Sequence, residues 1–453
     1  MENEKAPVSL GTEKVGKLLL QYAIPAIIAM TASSLYNMVD RIFIGQGVGA
    51  LAISGLAITF PFMNLASAFG TLVGLGGSTL ASMKLGQRDY ATAQCVLGNV
   101  IMLNAIVGIV FTAVTLPFLD PILYFFGASP QTVGYAHDYM FIILLGNVTS
   151  HMYFGLNGML RSTGHPQQAM YATVMAVVVN TILDPIFIYA FGWGIRGAAI
   201  ATVLAQLISL AWQVKLFSRK DELLHFRRGI FKLKRRIALS SLAIGMAPFS
   251  MNVAACFVVI LINQSLKRHG GDLAIGAYGI ANSLVFIALM IVVGFNQGMQ
   301  PIAGYNYGAQ LYDRVTGVLK VTIGYATTVT TIGFLAGMLV PGLLVGIFTT
   351  DAELTAIARR ALRFMVGVFP IVGGQMVISN FFQSIGMAGK AIFLSLTRQL
   401  LYLVPCLLIL PNIWGLDGVW LCLPTADVLA AITAGAMLFY QFRQFKRMKN
   451  EEK

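Results

Sequence analysis

Charge is what this sequence has least of: only 11% of its 453 residues are Asp, Glu, Lys or Arg. A soluble domain carries roughly 25%, so most of the surface this chain forms must be hidden from water. Reactive chemistry is scarce too. The four cysteines, Cys95, Cys256, Cys406 and Cys422, lie in or beside apolar stretches without metal or redox spacing, which reads as packing. No P-loop, nucleophile–base motif or metal-spaced His/Cys cluster occurs, which argues against ATP-driven pumping by this chain alone. Gly74, Gly76 and Gly77 imitate a phosphate loop, but inside an apolar run they read as close helix packing. The short alternating segments of a β-barrel are missing as well.

What the chain has is long apolar runs. Hydrophobic residues make up 57% of it, and crossing a bilayer as a helix takes roughly 20 of them. Such runs fall near 15–42, 50–80, 93–117, 135–158, 167–190, 197–217, 238–263, 273–300, 315–345, 360–383, 390–410 and 416–441. They predict an all-α integral membrane protein of about 12 transmembrane helices. The polar opening MENEKAPVSLGTEKVGK has none of the features of a cleaved secretory signal, so the first helix is expected to stay.

A net charge of +13 would suit nucleic acid, but its distribution does not. Basic residues gather in alternate loops: Lys84 and Arg88, Arg161, the run from Lys215 through Arg236, and a tail with Arg443, Lys446, Arg447 and Lys449. The loop around Asp120 has none. That asymmetry places both termini in the cytoplasm, with Lys267, Arg268, Arg359, Arg360 and Arg363 as exceptions. The expected partner of the basic loops is the anionic headgroup layer of the lipid bilayer, with no nucleic acid involved.

The two halves of the chain resemble each other. LAISGLAI at 51–58 returns as LAIGAYGI at 273–280, a shift of 273 − 51 = 222. Gly76 and Gly86 match Gly298 and Gly308, and Ser162 and Gly164 match Ser384 and Gly386, at the same shift. Pro25 with Pro248, and GWGIRG with IWGLDG, agree to within one residue. An even number of spans per repeat orients both copies alike. This predicts two homologous six-helix bundles related by a pseudo-two-fold axis along the membrane normal, a plan that alternating-access transporters use. The expected division is an N-terminal lobe at 1–214, a basic cytoplasmic linker at 215–236, and a C-terminal lobe with a basic tail at 237–453.

An acid inside a span is a functional candidate because charge in hydrocarbon is costly. Most acids here lie in loops or tails, including Glu2, Asp89, Asp221, Glu222, Asp351, Glu353 and Glu452. Asp40, Asp184 and Asp427 do not, and Asp138 lies near a span start. Asp184 sits in NTILDPIFIYAF, with Asn180 four residues earlier on the same helix face. Pro185 follows directly, removing a backbone donor and bending the helix. Carboxylate, amide and freed carbonyls are the hard oxygen ligands of a proton or sodium site. Asp40, with Tyr36 one turn before it, can supply a second carboxylate, and Thr202 a hydroxyl. The plainer alternatives are a capped, proline-kinked helix for Asp184 and interhelical hydrogen bonding for Asn180 and Thr202. Asp427 could pair with Arg398, either to hold the second lobe together or to take a gating or second proton role. His151 reads as a hydrogen-bonded structural histidine or a proton relay.

VDRIFIG, GLGGSTLASMKLG, LNGMLRSTGHP, NTILDPIFIYAF and GIRGAAIAT, followed by GMQPIAGYNYGA and FFQSIGMAGKA, carry a resemblance over nearly the whole chain. It resembles the multidrug and toxic compound extrusion (MATE) family, in its prokaryotic MepA-like branch. That resemblance implies a V-shaped cavity between two bundles in a bacterial cytoplasmic (inner) membrane. It also implies export of lipophilic, often cationic compounds, driven by inward H+ or Na+ as the coupling ion, with no other cofactor. The family's first-lobe cation site maps onto Asp40, Asn180, Asp184 and Thr202, the metal ligands if the ion is Na+, with Tyr36 and Asn157 nearby. Asn157, Gln297, Gln375 and Gln383 are candidates to line the cavity. The seventh and tenth spans, where some members carry acids, offer Asn252, Asn263, Gln264, Gln375, Asn380 and Gln383 instead. The expected state is a monomer, and the expected class is a secondary transporter, not an enzyme. A flippase for lipid-linked saccharides or lipids is the main alternative, ahead of a polytopic membrane enzyme.

Overall fold

The structure, a computed structural model, describes residues 8–349 and 351–451; Glu2 and Glu452 of the loop and tail acids lie outside them. Among the described residues the regular elements are helical, with no strand. Among the described residues nine helices are long and apolar enough to cross a bilayer, and two bent pairs form one further span each. The last run, Ala388–Arg447, has 60 residues, roughly 90 Å of helix against a hydrocarbon core of roughly 30 Å. It holds two spans, divided at Gly415, whose φ of 58° and ψ of −132° interrupt the helix. The twelve resulting spans are α1 (Val15–Gly47), α2 (Leu51–Gly86), α3 (Tyr90–Phe125), α4 (Val133–Leu145 with Asn147–Ser162), α5 (Pro166–Ala190) and α6 (Gly194–Phe217). Then come α7 (Arg235–Gly271), α8 (Leu273–Gly308), α9 (Tyr312–Leu339) and α10 (Ala352–Val366 with Phe369–Ser384), with α11 and α12 on either side of Gly415. The protein is a multi-pass membrane protein.

Two of these spans, expected at 135–158 and 360–383, are bent. The parts of α4 meet at 55° and those of α10 at 52°. At Gly146, where α4 breaks, Val203 of α6 leaves no room for a Cβ. In α10 the cause is local: Pro370 has no N–H to give the carbonyl of Val366, so the helix restarts.

The duplication is written into the backbone as well. α2 ends with Arg88 in the left-handed region at φ 59°, while the Asp89 N–H turns back to the Lys84 carbonyl at 2.9 Å. The end of α8 repeats this with Gln310 at φ 61° and the Leu311 N–H on the Asn306 carbonyl at 2.8 Å. The shift is again 310 − 88 = 222. Neither residue is glycine, so each turn costs strain that the helix-terminating bond offsets.

By contacts the chain divides into two compact units: Met1–Thr12 with Ile28–Phe249, and Glu13–Ile27 with Ser250–Lys453. α1 changes unit at residue 28 and α7 at residue 250, a separation of 250 − 28 = 222. Glycines make room for both arrangements. In unit one Gly76 of α2 lies against the Ser241 carbonyl and Gly245 at the start of α7. In unit two its counterpart Gly298 of α8 lies against Ala23 of α1, and Gly294 against Ile27. Such contacts bring helix backbones together where no hydrophobic force drives association.

The basic segment 218–234 is tied to unit one. The Lys234 N–H donates to Asn99 Oδ1 at 2.9 Å, and Asn99 Nδ2 to the Lys232 carbonyl at 3.3 Å. Gln94 and His225 exchange side-chain and backbone bonds, and His165 Nε2 lies 3.4 Å from Glu222 Oε2.

Candidate cation site

Unit one collects its polar spans around one point. α1 contributes Tyr36 and Asp40, α5 contributes Asn180 and Asp184, and α6 contributes Thr202. Asp40, Asn180 and Asp184 are 5%, 2% and 0% exposed. Past Pro185, α5 continues as a π-helical turn over Ile186–Ala190, since Pro185 cannot donate to the Thr181 carbonyl. A wide turn of this kind often marks a functional position.

The Asp40 and Asp184 carboxyls are within hydrogen-bonding reach of one another. At that distance in an apolar setting both cannot stay ionised without a proton or a cation between them. Thr202 gives its single hydroxyl hydrogen to the Ala198 carbonyl at 3.1 Å, so it accepts from its other partners. Tyr36 Oη donates to it at 3.0 Å and Asn180 Nδ2 at 3.5 Å, while Nδ2 also reaches Asp184 Oδ1 at 3.4 Å. The amide bonds are long and therefore weak. Three buried oxygens, Asp40 Oδ1, Asp184 Oδ2 and Asn180 Oδ1, receive no hydrogen bond among the described residues. Unsatisfied acceptors on an acid pair and on the amide that reaches it fit a proton or a hard monovalent cation, for which oxygen donors are the natural ligands. Among the described residues no group of three or more His, Cys, Asp or Glu could hold a metal ion.

Two contributors carry no mark in the sequence. Tyr139 of α4 is 2% exposed and faces Thr202 and both acids. A tyrosine in an apolar span ordinarily reads as an interface anchor, and no spacing rule ties it to residues 40 or 184. Arg41 acts electrostatically on Asp40, with its guanidinium 5.6 Å from the Phe60 ring centroid.

The other candidates lie apart from this cluster. Asn157 donates to the Ala169 carbonyl at 2.8 Å and accepts from Arg161 Nη1 at 2.7 Å. His151 donates from Nε2 to the Ala66 carbonyl at 2.9 Å. Asp138 pairs with Arg196 at 2.8 Å. In unit two, Gln375 donates to Ser379 at 3.2 Å, Gln383 is 4% exposed, and Gln297 is half-buried on α8. Arg398 and Asp427 meet with Nε donating to Oδ1 at 2.6 Å.

A twice-repeated six-span unit with a buried acid pair in one copy defines a polytopic membrane protein built by duplication. The family model described as MatE matches residues 25–186 and again 245–408, once per half. The chain belongs to this MATE family. Multidrug export protein MepA of Staphylococcus haemolyticus (strain JCSC1435) is 28% identical over 418 residues, 92% of each chain. Its namesake in Staphylococcus aureus (strain MSSA476) is 26% identical over 96% of this chain and 94% of its own. Among solved structures, an outward-facing conformation of a multidrug resistance MATE family transporter of the MOP superfamily superposes with a TM-score of 0.91. It is 25% identical, over 97% of this chain and 98% of that one.

Proposed function

We propose that this transporter exports lipophilic, often cationic compounds by alternating access, in exchange for inward H+ or Na+ bound at Asp40 and Asp184. The observation that carries this reading is the contacting acid pair, whose two unsatisfied oxygens are joined by that of Asn180. The relatives named as multidrug export proteins support the substrate class. In the proposed cycle, substrate binds while the pair is charged. Cation arrival neutralises it, α5 rearranges at its π-helical turn, and affinity for the substrate falls on the outer side. Coupling requires only that each ligand favour a different state. Both termini are proposed to lie in the cytoplasm, as the loop charges argue.

The test is dye efflux from proteoliposomes under separately imposed pH and sodium gradients. One gradient should drive export in the wild type, and Asp184→Asn should abolish the gradient-dependent part. Full gradient-driven export by Asp184→Asn would refute the site.

A further inference from the structure

At the end of unit one that the loop charges place outside, three helix ends enclose a pocket of about 580 Å³. It is lined by Val48 just past α1, by Tyr135, Asp138 and Ile142 of α4, and by Trp193 and Arg196 at the turn into α6. The same three helices carry the cation site deeper in. Val48 lies 48 − 40 = 8 residues beyond Asp40, Tyr135 lies 139 − 135 = 4 residues before Tyr139, and Arg196 lies 202 − 196 = 6 residues before Thr202. The pocket therefore sits roughly 6–12 Å outward of the acid pair. None of its lining residues belongs to that site.

The turn that closes the pocket presents one side chain. Gly192 and Gly194 both lie in the left-handed region, at φ 69° and 54°, where a side chain would be strained. Between them Trp193 gives its N–H to the Phe187 carbonyl at 3.0 Å. Phe187 and Phe191 pack against its indole, with ring centroids 5.3 Å and 5.1 Å away. The ring is held in place while 47% of the residue stays exposed. An interfacial tryptophan ordinarily anchors at lipid headgroups, but this one borders a pocket that also holds a carboxylate. Asp138 is only loosely paired. Arg196 Nη2 donates to its Oδ1 at 2.8 Å, and among the described residues Oδ2 meets no donor. The Arg196 side chain is 63% exposed against 32% for Asp138, so the guanidinium covers the carboxylate from the water side. Exposed pairs of this kind contribute little, and the guanidinium swings out at small cost.

An aromatic face beside a half-buried carboxylate, with aliphatic walls, matches a bulky cation whose charge is spread over an apolar body. The volume also falls in the range of drug-sized ligands, roughly 300–1,000 Å³. A small hydrated ion would gain nothing from the aliphatic walls. We propose that this pocket binds lipophilic monocations from the outer solution, with Trp193 stacked on the ligand and Asp138 as its counter-charge once Arg196 is displaced. Occupancy bridges the outer ends of the helices that carry the acid pair and slows their rearrangement. Exported compound thus restrains its own export as it accumulates outside. The ligand class follows from the pocket's own chemistry, while the feedback rests on the export reading above.

The experiment follows alkylation of Val48→Cys in the purified protein in detergent, by mass spectrometry of the peptide that carries residue 48. Tetraphenylphosphonium should slow alkylation about tenfold at roughly ten times its Kd, since only the empty pocket reacts. Neutral triphenylphosphine oxide should not. The half-protecting concentration should rise about tenfold in Asp138→Asn and rise less in Trp193→Ala. It should fall in Arg196→Gln, which frees the carboxylate, whereas a merely structural pair would make Asp138→Asn and Arg196→Gln act alike. Asp184→Asn should be protected as the wild type is, because the acid pair is a separate site. Ile142→Cys is the reporter if Val48→Cys does not fold. No protection, equal protection by both probes, protection unchanged in Asp138→Asn, protection lost in Asp184→Asn, or weaker protection in Arg196→Gln would each overturn the proposal. In proteoliposomes, tetraphenylphosphonium should slow gradient-driven efflux of a second dye, and Asp138→Asn should raise the concentration needed about tenfold. An unchanged concentration would overturn the feedback. If efflux proves independent of any gradient while protection holds, the antiport reading fails and the pocket stands.

Discussion

Asp40 and Asp184 are proposed to act as one unit, because their carboxyls lie within hydrogen-bonding reach of one another. Their substitutions should therefore not add. Asp40→Asn, Asp184→Asn and the double variant are each expected to lower gradient-driven efflux to the same floor. An additive double variant in the same proteoliposome assay would mean two independent sites. Outside the spans, Asp89 opens α3 by accepting from the Thr92 N–H at 3.1 Å. Burial pushes its carboxyl up, but the bonds from Thr92 and the charge of Lys84 outweigh this and hold it below the usual carboxylate range. The sign follows: its stabilising contribution is present above the unfolded carboxylate value and is lost as pH falls through the lower folded one. Asp89→Ala should cost about 1 kcal/mol of stability at neutral pH, read as a lower melting temperature in detergent. That deficit should shrink in acid.

The helices themselves were largely legible in the sequence, since roughly 20 apolar residues between polar loops admit little else in lipid. Their interruptions were less so. The bend in α10 has a visible cause in Pro370, whereas at Gly146, where α4 breaks, the space for a side chain is taken by Val203, 57 residues later (203 − 146) and on another helix. Gly76 and Gly298 occupy matching places where two helices touch. A Cβ at Gly76 would overlap the Ser241 carbonyl, a backbone atom that cannot swing aside. Gly76→Val is therefore expected to destabilise the protein by about 1–3 kcal/mol, the usual cost of overpacking, read by thermal unfolding in detergent. Gly279→Val, at an open position in α8, should be close to neutral and serves as the control.

Over the whole molecule the basic loops predict which ends are inside. With native cysteines replaced, Ser218→Cys between α6 and α7 should resist a membrane-impermeant maleimide in intact cells, and Gln131→Cys between α3 and α4 should react. Both positions are exposed, so the reverse pattern would invert the proposed topology. The membrane setting, the twelve spans and the internal duplication followed from composition, run length and a constant shift of 222 residues, because each depends on chain properties that folding does not alter. The polar candidates were conspicuous for the same reason: a carboxylate in an apolar run stands out wherever it ends up. Only the tertiary structure decided that Asp40 touches Asp184, that Tyr139 faces them both, and that α1 and α7 change unit at 28 and 250. These are contacts between side chains far apart in sequence, and in lipid they are set by how closely helix backbones can approach. That depends on which small residue faces which neighbour, and no single helix carries that information.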